Sequence, residues 1–400
     1  MAPVLTIADL RDMHRRHTPK MFYDYADSGS YTEGTYRENE TAFSAIKLRQ
    51  RVARNIDNRS VASTILGKPA TMPVYLAPVG MTGMQWADGE IHAARAAEKF
   101  GVPFTLSTMS ISSIEDVAAN TSAPFWFQLY VMRDRGFAAD LIARAKAAGC
   151  SALVLTLDLQ ILGQRHKDLR NGLSAPPKMT PQVIADLMRH PSWCMKMLGT
   201  KRRSFGNIVG HAKGVDDMSS LVDWTASQFD PTLDWSSIEW VRKHWDGPLI
   251  LKGVGDVDDA NIAAGTGADA ITVSNHGGRQ LDGAPASIHM LPEIAEAVGD
   301  KIEIHMDGGI RSGQDVVKAI ALGAHATSIG RAYIHGLGAM GEAGVTKALE
   351  IIRREMDITM ALCGETEITS VGAHTVWGGV PRAAPVVDNT QERALHAVGA

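Results

Sequence analysis

Short apolar runs alternate with longer amphipathic stretches along most of the chain. Eight runs of β-type residues stand out: Val74–Ala77, Phe104–Ser107, Trp126–Leu129, Ala152–Leu157, Leu249–Lys252, Ala270–Ser274, Glu303–Met306 and Ala326–Ile329. Such short apolar runs read as buried strands. Segments of helical character separate them: Ile91–Lys99, Phe137–Ala148, Asp258–Gly265, Pro292–Val298 and Gly313–Leu322. Gly101, Gly149, Gly267 and Gly323 each fall just before the next strand, where a helix C-cap wants a glycine. Repeated strand-then-helix units build parallel sheets, and a count of eight favours a closed α/β barrel, the (β/α)8 or TIM-barrel architecture, over a doubly wound sheet.

Two stretches lie outside that repeat. Residues 1–70 precede the first barrel strand and carry helical patterns, Ile7–His17 and Asn39–Ala45 among them. Residues 172–232 interrupt the fourth and fifth units, with Trp193, Met195, Met197 and the run Lys201-Arg202-Arg203. This insertion reads as a long, partly mobile lid loop over the barrel mouth within one domain spanning 1–400. Long loops without regular structure are commonly functional.

Composition narrows the class without naming the chemistry. The chain has 400 residues, 45% hydrophobic and 21% charged, and a net charge of −4. That is ordinary for a soluble globular protein and argues against nucleic-acid binding, which favours a basic chain. Three dispersed cysteines, Cys150, Cys194 and Cys363, form neither a disulfide framework nor a zinc site, so no metal is expected. No secretory signal is visible, and no apolar run approaches the roughly 18 residues needed to cross a bilayer.

Chemistry collects where the strands end, which is where barrels of this kind build active sites. The richest segment is Ser274-Asn275-His276-Gly277-Gly278-Arg279-Gln280. It delivers an imidazole, the commonest general base, beside a guanidinium whose planar fork matches a carboxylate. That pair suits proton removal next to a carboxylate. Polar or glycine residues close the other strands: Pro78 and Gly80, Ser107, Gln128 and Tyr130, Thr156 and Asp158, Lys252, Asp307-Gly308-Gly309, and Gly330-Arg331. The last two groups, with Arg311, stand after strands seven and eight, the usual phosphate-binding place. Lys252 ends a buried run and needs an anionic or polar partner.

Taken in order, Phe127-Gln128-Leu129-Tyr130, Leu251-Lys252-Gly253, Ser274–Gln280 and Asp307-Gly308-Gly309 resemble the FMN-dependent L-2-hydroxy acid oxidases and dehydrogenases. The likeness runs from Lys20-Met21-Phe22-Tyr23-Asp24-Tyr25 to about Gly364. It implies FMN as cofactor, His276 as base and Asp158 as the carboxylate behind it. It further implies Arg279 and Arg165 as contacts to the substrate carboxylate, assisted by Tyr25, and Tyr130 as a hydroxyl on the substrate oxygen. Ser107, Gln128, Thr156, Lys252 and Ser274 would contact the flavin ring, and Pro78, Val79 and Gly80 its reactive edge. Asp307, Gly308, Gly309, Arg311, Gly330 and Arg331 would hold the phosphate tail.

Two departures bear on substrate and acceptor. Met109 occupies the place of a tryptophan in the plant glycolate oxidases, which leaves room for lactate or something larger. Gly80 replaces their alanine and resembles the membrane-associated bacterial dehydrogenases, which also carry a long insertion. The expected reaction is oxidation of L-lactate to pyruvate, with quinone or another acceptor reoxidising the flavin. A peroxide-producing oxidase acting on lactate, mandelate-like or longer acids is the alternative, followed by an FMN-dependent isomerase or a non-catalytic flavin binder. The expected setting is cytoplasmic. The insertion reads equally as a soluble lid or as a contact with the inner face of the cell membrane, and the family habit implies a homotetramer.

Overall fold

Each predicted apolar run becomes a strand, and residues 3–173, 179–212, 215 and 228–380 of the computed structural model describe how they assemble. A hairpin comes first, β1 (Ser63–Ile65) and β2 (Lys68–Ala70). The barrel strands follow: β3 (Val74–Leu76), β4 (Thr105–Ser107), β5 (Trp126–Leu129), β6 (Ala152–Thr156), β7 (Leu249–Val254), β8 (Ala270–Val273), β9 (Glu303–Met306) and β10 (Ala326–Ile329). They pair in the order β3-β10-β9-β8-β7-β6-β5-β4, and a lone parallel bridge between Leu76 and Phe104 completes the ring. Strand boundaries differ from the sequence expectation by at most two residues.

The largest difference is β7, which runs on past Lys252 through a register shift to Val254. Gly253 makes this local break with φ +101°, and a Cβ there would stand 2.8 Å from Asp158 Cβ and Cγ. A glycine therefore lets Asp158 press against the end of β7. At the opposite end of the barrel the β1–β2 hairpin acts as a plug. Ile65 and Ala70 pack with Tyr75, Trp126 and Val154 from the barrel interior.

Three helices from the N-terminal stretch brace the barrel: α1 (Ile7–His17), α2 (Lys20–Ala26) and α3 (Gly34–Thr41). Helix α1 begins at Thr6, whose hydroxyl accepts from Asp9 N while Asp9 accepts from Thr6 N, a capping box. The pattern Asn39–Ala45 is realised differently. Helix α3 starts earlier, and Ala42–Ala45 tightens into a 3-10 turn. Its buried face is Thr35, Tyr36 and Asn39, which apolar periodicity does not mark. Asn39 exchanges side-chain hydrogen bonds with Asn275 at 2.9 and 3.0 Å and accepts from Ser287 N.

The described part of the insertion is more regular than a loop. Pro181–Arg189 and Pro191–Gly199 are helices, each with proline in its first turn, and Thr180 caps the former. Trp193 stacks on Phe22 of α2 with centroids 5.1 Å apart and donates to Met84 O at 3.0 Å. Met179, Met188, Met195 and Leu198 remain exposed. The basic run is largely consumed within the molecule. Arg202 pairs with Asp88 and Asp116, and Arg203 donates to the carbonyls of Leu198 and Thr200.

Helix α1 meets the helix Arg331–Met340 through two buried histidines. His14 Nε2 lies 2.9 Å from Gln85 Oε1, and His14 Nδ1 lies 3.2 Å from His335 Nδ1. Gln85 donates its own amide to Phe22 O, so its Oε1 accepts from His14 Nε2–H. His14 Nδ1 must then accept from His335 Nδ1–H, an arrangement that requires a neutral His14 ring. Burial foremost holds His14 down at about 4, below its ordinary 6.5, and His335 is lowered too. The unfolded chain therefore binds protons below about pH 6.5 that the folded chain refuses, and stability falls as pH drops towards 4. The expected outcome is a melting temperature lower at pH 5 than at pH 7. That drop should shrink in His14→Gln, and an equal drop in both proteins would exclude the histidine origin.

Candidate active site

A cavity of about 940 Å³ opens at the C-terminal end of the strands. His276 reaches it from the turn after β8 with φ +57°, a left-handed conformation uncommon outside glycine. Its amide donates to Ser274 Oγ, which also accepts from Lys252 Nζ at 2.7 Å. Its ring is aimed by Asp158, with Nδ1 and Oδ1 2.9 Å apart, so Nε2 is left for the cavity. Burial disfavours the Asp158 carboxylate, but His276 and Lys252 outweigh that and keep its pKa below the ordinary value. Gln280 ties the loops together by donating to the carbonyls of Asp158 and Ile161.

Positive charge dominates the facing wall. Arg279 lies over the Tyr25 ring at 4.8 Å and Arg165 over the same ring at 5.8 Å. Arg279 donates to Tyr25 O and Ser28 O, whereas Arg165 pairs with Asp168 at 2.8 Å. Burial, then the charge of Arg165, draws Arg279 down to about 10. Two guanidiniums against one carboxylate leave a half-buried excess of positive charge that an anionic ligand would relieve. Tyr130 lines the same space, and burial, then Asp158, push its pKa up, so it remains a neutral hydroxyl. Met109 supplies the apolar lining nearby.

The remaining wall is polar and glycine-rich. Ser107 and Thr156 line it, linked through Gln128 by hydrogen bonds of 3.1 and 3.0 Å. Gln128 and Ser274 themselves sit one step behind the surface, as does Asp158. Lys252 pairs with Asp307 at 2.7 Å. Burial opposes its ammonium, yet Asp307 and Asp158 hold its pKa above the ordinary value. Among the described residues Asp307 Oδ1 is buried without a partner, so an acceptor waits on the cavity floor. Gly308 and Gly309 have φ +100° and +81°, and a Cβ on Gly309 would fall 1.8 Å from Asn39 O. Gly330 opens the helix Arg331–Met340 at the cavity, with Pro78, Val79 and Gly80 alongside.

Two predicted phosphate arginines have partners of their own. Arg311 pairs with Glu40 at 2.7 Å, and Arg331 donates to the carbonyls of Ala26, Ser28 and Gly277. Both still line the cavity. Sequence reading passed over Asp168 and Asn39. Asp168 stands three residues after Arg165, a spacing that brings side chains together on a helical turn, so that signal was available. Nothing local marks Asn39.

Residues 14–378 match the FMN-dependent dehydrogenase family. The chain belongs to that family. Its cofactor is FMN and its chemistry is oxidation of a 2-hydroxy acid. It is 45% identical over 385 residues to an L-lactate dehydrogenase of Caulobacter vibrioides, covering 95% of this chain and 99% of that one. An L-lactate dehydrogenase of Pseudomonas aeruginosa is also 45% identical, over 92% of this chain and 97% of its own. Among solved structures, the monotopic membrane protein (S)-mandelate dehydrogenase superposes with a TM-score of 0.89 at 34% identity, covering 94% and 99% of the two chains. A mandelate oxidase gives 0.79 at 36% identity, over 95% and 100%.

The cavity fits FMN on its own terms. A cationic floor, an unpartnered Asp307 oxygen able to accept from a hydroxyl, and a helix N-terminus beside two arginines match a flavin ring, a ribityl chain and a phosphate. Gly80 tests the substrate side. A methyl there would lie 2.9 Å from Tyr25 Oη and 3.2 Å from Met109 Cβ. In Gly80→Ala the KM for the hydroxy acid is expected to rise about tenfold, the low end of the about 1–3 kcal/mol that overpacking costs. Flavin content should be unchanged, and an unaltered KM would show that Tyr25 is not placed by this contact.

Proposed function

We propose that the protein oxidises L-lactate to pyruvate and passes the electrons to a quinone at an apolar surface. The observation that carries the reading is the half-buried pair Arg279–Arg165 sharing one cavity with an imidazole backed by Asp158. The lactate carboxylate would bind the two guanidiniums, with the Tyr25 hydroxyl adding a donor, and this fixes the orientation of the α-carbon. Tyr130, kept protonated, would donate to the substrate oxygen. His276 Nε2 would take and hold one proton, and Asp158 would stabilise the imidazolium so formed. No side chain accepts two electrons, and FMN supplies that acceptor when bound. Lys252 would balance the negative charge that reduction brings. The identity to L-lactate dehydrogenases supports lactate over bulkier acids.

The acceptor reading rests on the insertion. Ile184, Met188, Met195 and Leu198 lie exposed on or beside its two helices, and Ile161 and Leu162 lie exposed at the cavity mouth. No helix among the described residues is long and apolar enough to cross a membrane. Peripheral seating of this face on a lipid surface, where an apolar quinone dissolves, would bring the acceptor to the cavity.

Anaerobic mixing with a panel of L-2-hydroxy acids should bleach the flavin fastest with L-lactate. Oxygen and a soluble quinone analogue, added in turn, then separate an oxidase from a dehydrogenase. In His276→Gln the flavin should remain bound while lactate-driven bleaching slows by about 100- to 10,000-fold. Wild-type bleaching in that variant would remove His276 as the base. The double variant Met188→Glu/Leu198→Glu is expected to stay in the supernatant when lipid vesicles sediment the wild type. Equal sedimentation would place the contact elsewhere.

A further inference from the structure

Ionisable groups continue beneath the cavity floor, into a region that barrels of this kind ordinarily fill with branched apolar side chains. Alternate residues of a strand share a face, so β9 turns Glu303, His305 and Asp307 towards the barrel axis together. Asp307 belongs to the cavity through Lys252. His305 is completely buried one step below, about 6.6 Å along the strand. Its Nε2 lies 2.9 Å from Glu303 Oε1, and its Nδ1 is buried with no partner. Its ring packs 5.3 Å from that of Tyr75 and lies parallel to Trp126. Glu303 keeps 22% of its side chain exposed at the far end and accepts from Leu66 N in the hairpin turn. Nothing in the chemistry at the rim uses either group.

We propose that the Glu303–His305 pair binds a proton more tightly when the bound flavin is reduced, and so steepens the pH dependence of the flavin potential. The inference rests on FMN occupying the cavity. Oxidation of the hydroxy acid delivers two electrons to the flavin, and the negative charge gained acts on every titratable group in the low-dielectric barrel. Two charges about 10 Å apart at an effective dielectric of about 20 change each other's proton affinity by about tenfold.

The other groups facing this region are already committed. Lys252 is an ammonium paired with Asp307, and Asp158 is paired with His276. The Tyr75 hydroxyl meets Thr272 Oγ1 and is kept protonated by burial. His325 accepts from Ile304 N through Nδ1. Besides His276 at the rim, His305 remains, with one ring nitrogen on the Glu303 carboxylate and Nδ1 without a partner among the described residues. The proton comes from solvent at the Glu303 end and adds to Nδ1, leaving an imidazolium–carboxylate pair. It returns to solvent when the electrons leave.

Spectroelectrochemical titration of the holoenzyme from about pH 6 to about pH 8, where imidazoles titrate, reads this directly. For a two-electron couple each linked proton contributes about 30 mV per pH unit. A tenfold change in affinity moves at most about half a proton, so the wild type is expected to exceed the single-proton slope by up to about 15 mV, reaching about 45 mV, and His305→Gln, which keeps a polar contact to Glu303, should remove that excess. Glu303→Gln should lower the slope as well. A wild-type slope of about 30 mV, or a steep slope surviving in His305→Gln, overturns the inference while leaving the FMN site intact. A purified chain that retains no flavin would overturn the site and the inference together.

Discussion

Everything at the cavity depends on how half-buried guanidiniums are restrained. Arg279 and Arg331 hold their positions by donating to the carbonyls of Tyr25, Ala26 and Ser28, at and just beyond the C-terminal end of α2. A helix end leaves its last carbonyls without partners inside the helix, and its dipole is negative there. The N-terminal stretch thus supplies what two desolvated cations need, and in return the cations pin it to the rim. Tyr25, carried on the same helix, is set by that clasp. The extension before the barrel is accordingly part of the cavity wall, and Asn39 fastens it a second time against Asn275 and Gly309.

Much of this was legible in the chain itself. Apolar runs with β-type residues, punctuated by glycine, gave the barrel because a doubly covered strand tolerates little else. The pairing of His276 with Asp158 was implied by the family resemblance, and the structure brings the two side chains to 2.9 Å. Partners set by tertiary packing were not legible. No local pattern says that Arg331 spends three donors on backbone carbonyls, or that Glu40 meets Arg311. The insertion helices escaped notice because their buried contacts, such as Trp193 on Phe22, lie far away in sequence. Helix α3 was displaced for a related reason, since its inner face is polar and satisfied by the barrel rather than apolar.

Close approach, rather than turn formation, explains the glycines that matter most. Gly253 admits Asp158, Gly309 admits Asn39 O, and Gly80 leaves space for the Tyr25 hydroxyl. Each lies where two segments must touch at backbone distance to bring a charged or polar group to the cavity. A side chain at any of them would move a functional group before it disturbed the core.

The ring of strands is fastened unevenly. Seven neighbouring pairs are ladders, whereas β3 and β4 meet through the single Leu76–Phe104 bridge, supported by Leu76 N donating to Pro103 O. Gly80 follows one of these strands and Met109 the other, so this slack joint lies under the part of the cavity wall where we place the acid's tail. Spreading it by a fraction of an ångström would enlarge that recess while Lys252, Ser274 and Asp307, on strongly paired strands across the barrel, kept their spacing. Tolerance for a bulkier acyl group is thus mechanically separate from grip on the flavin, and the two can drift apart without a change of fold.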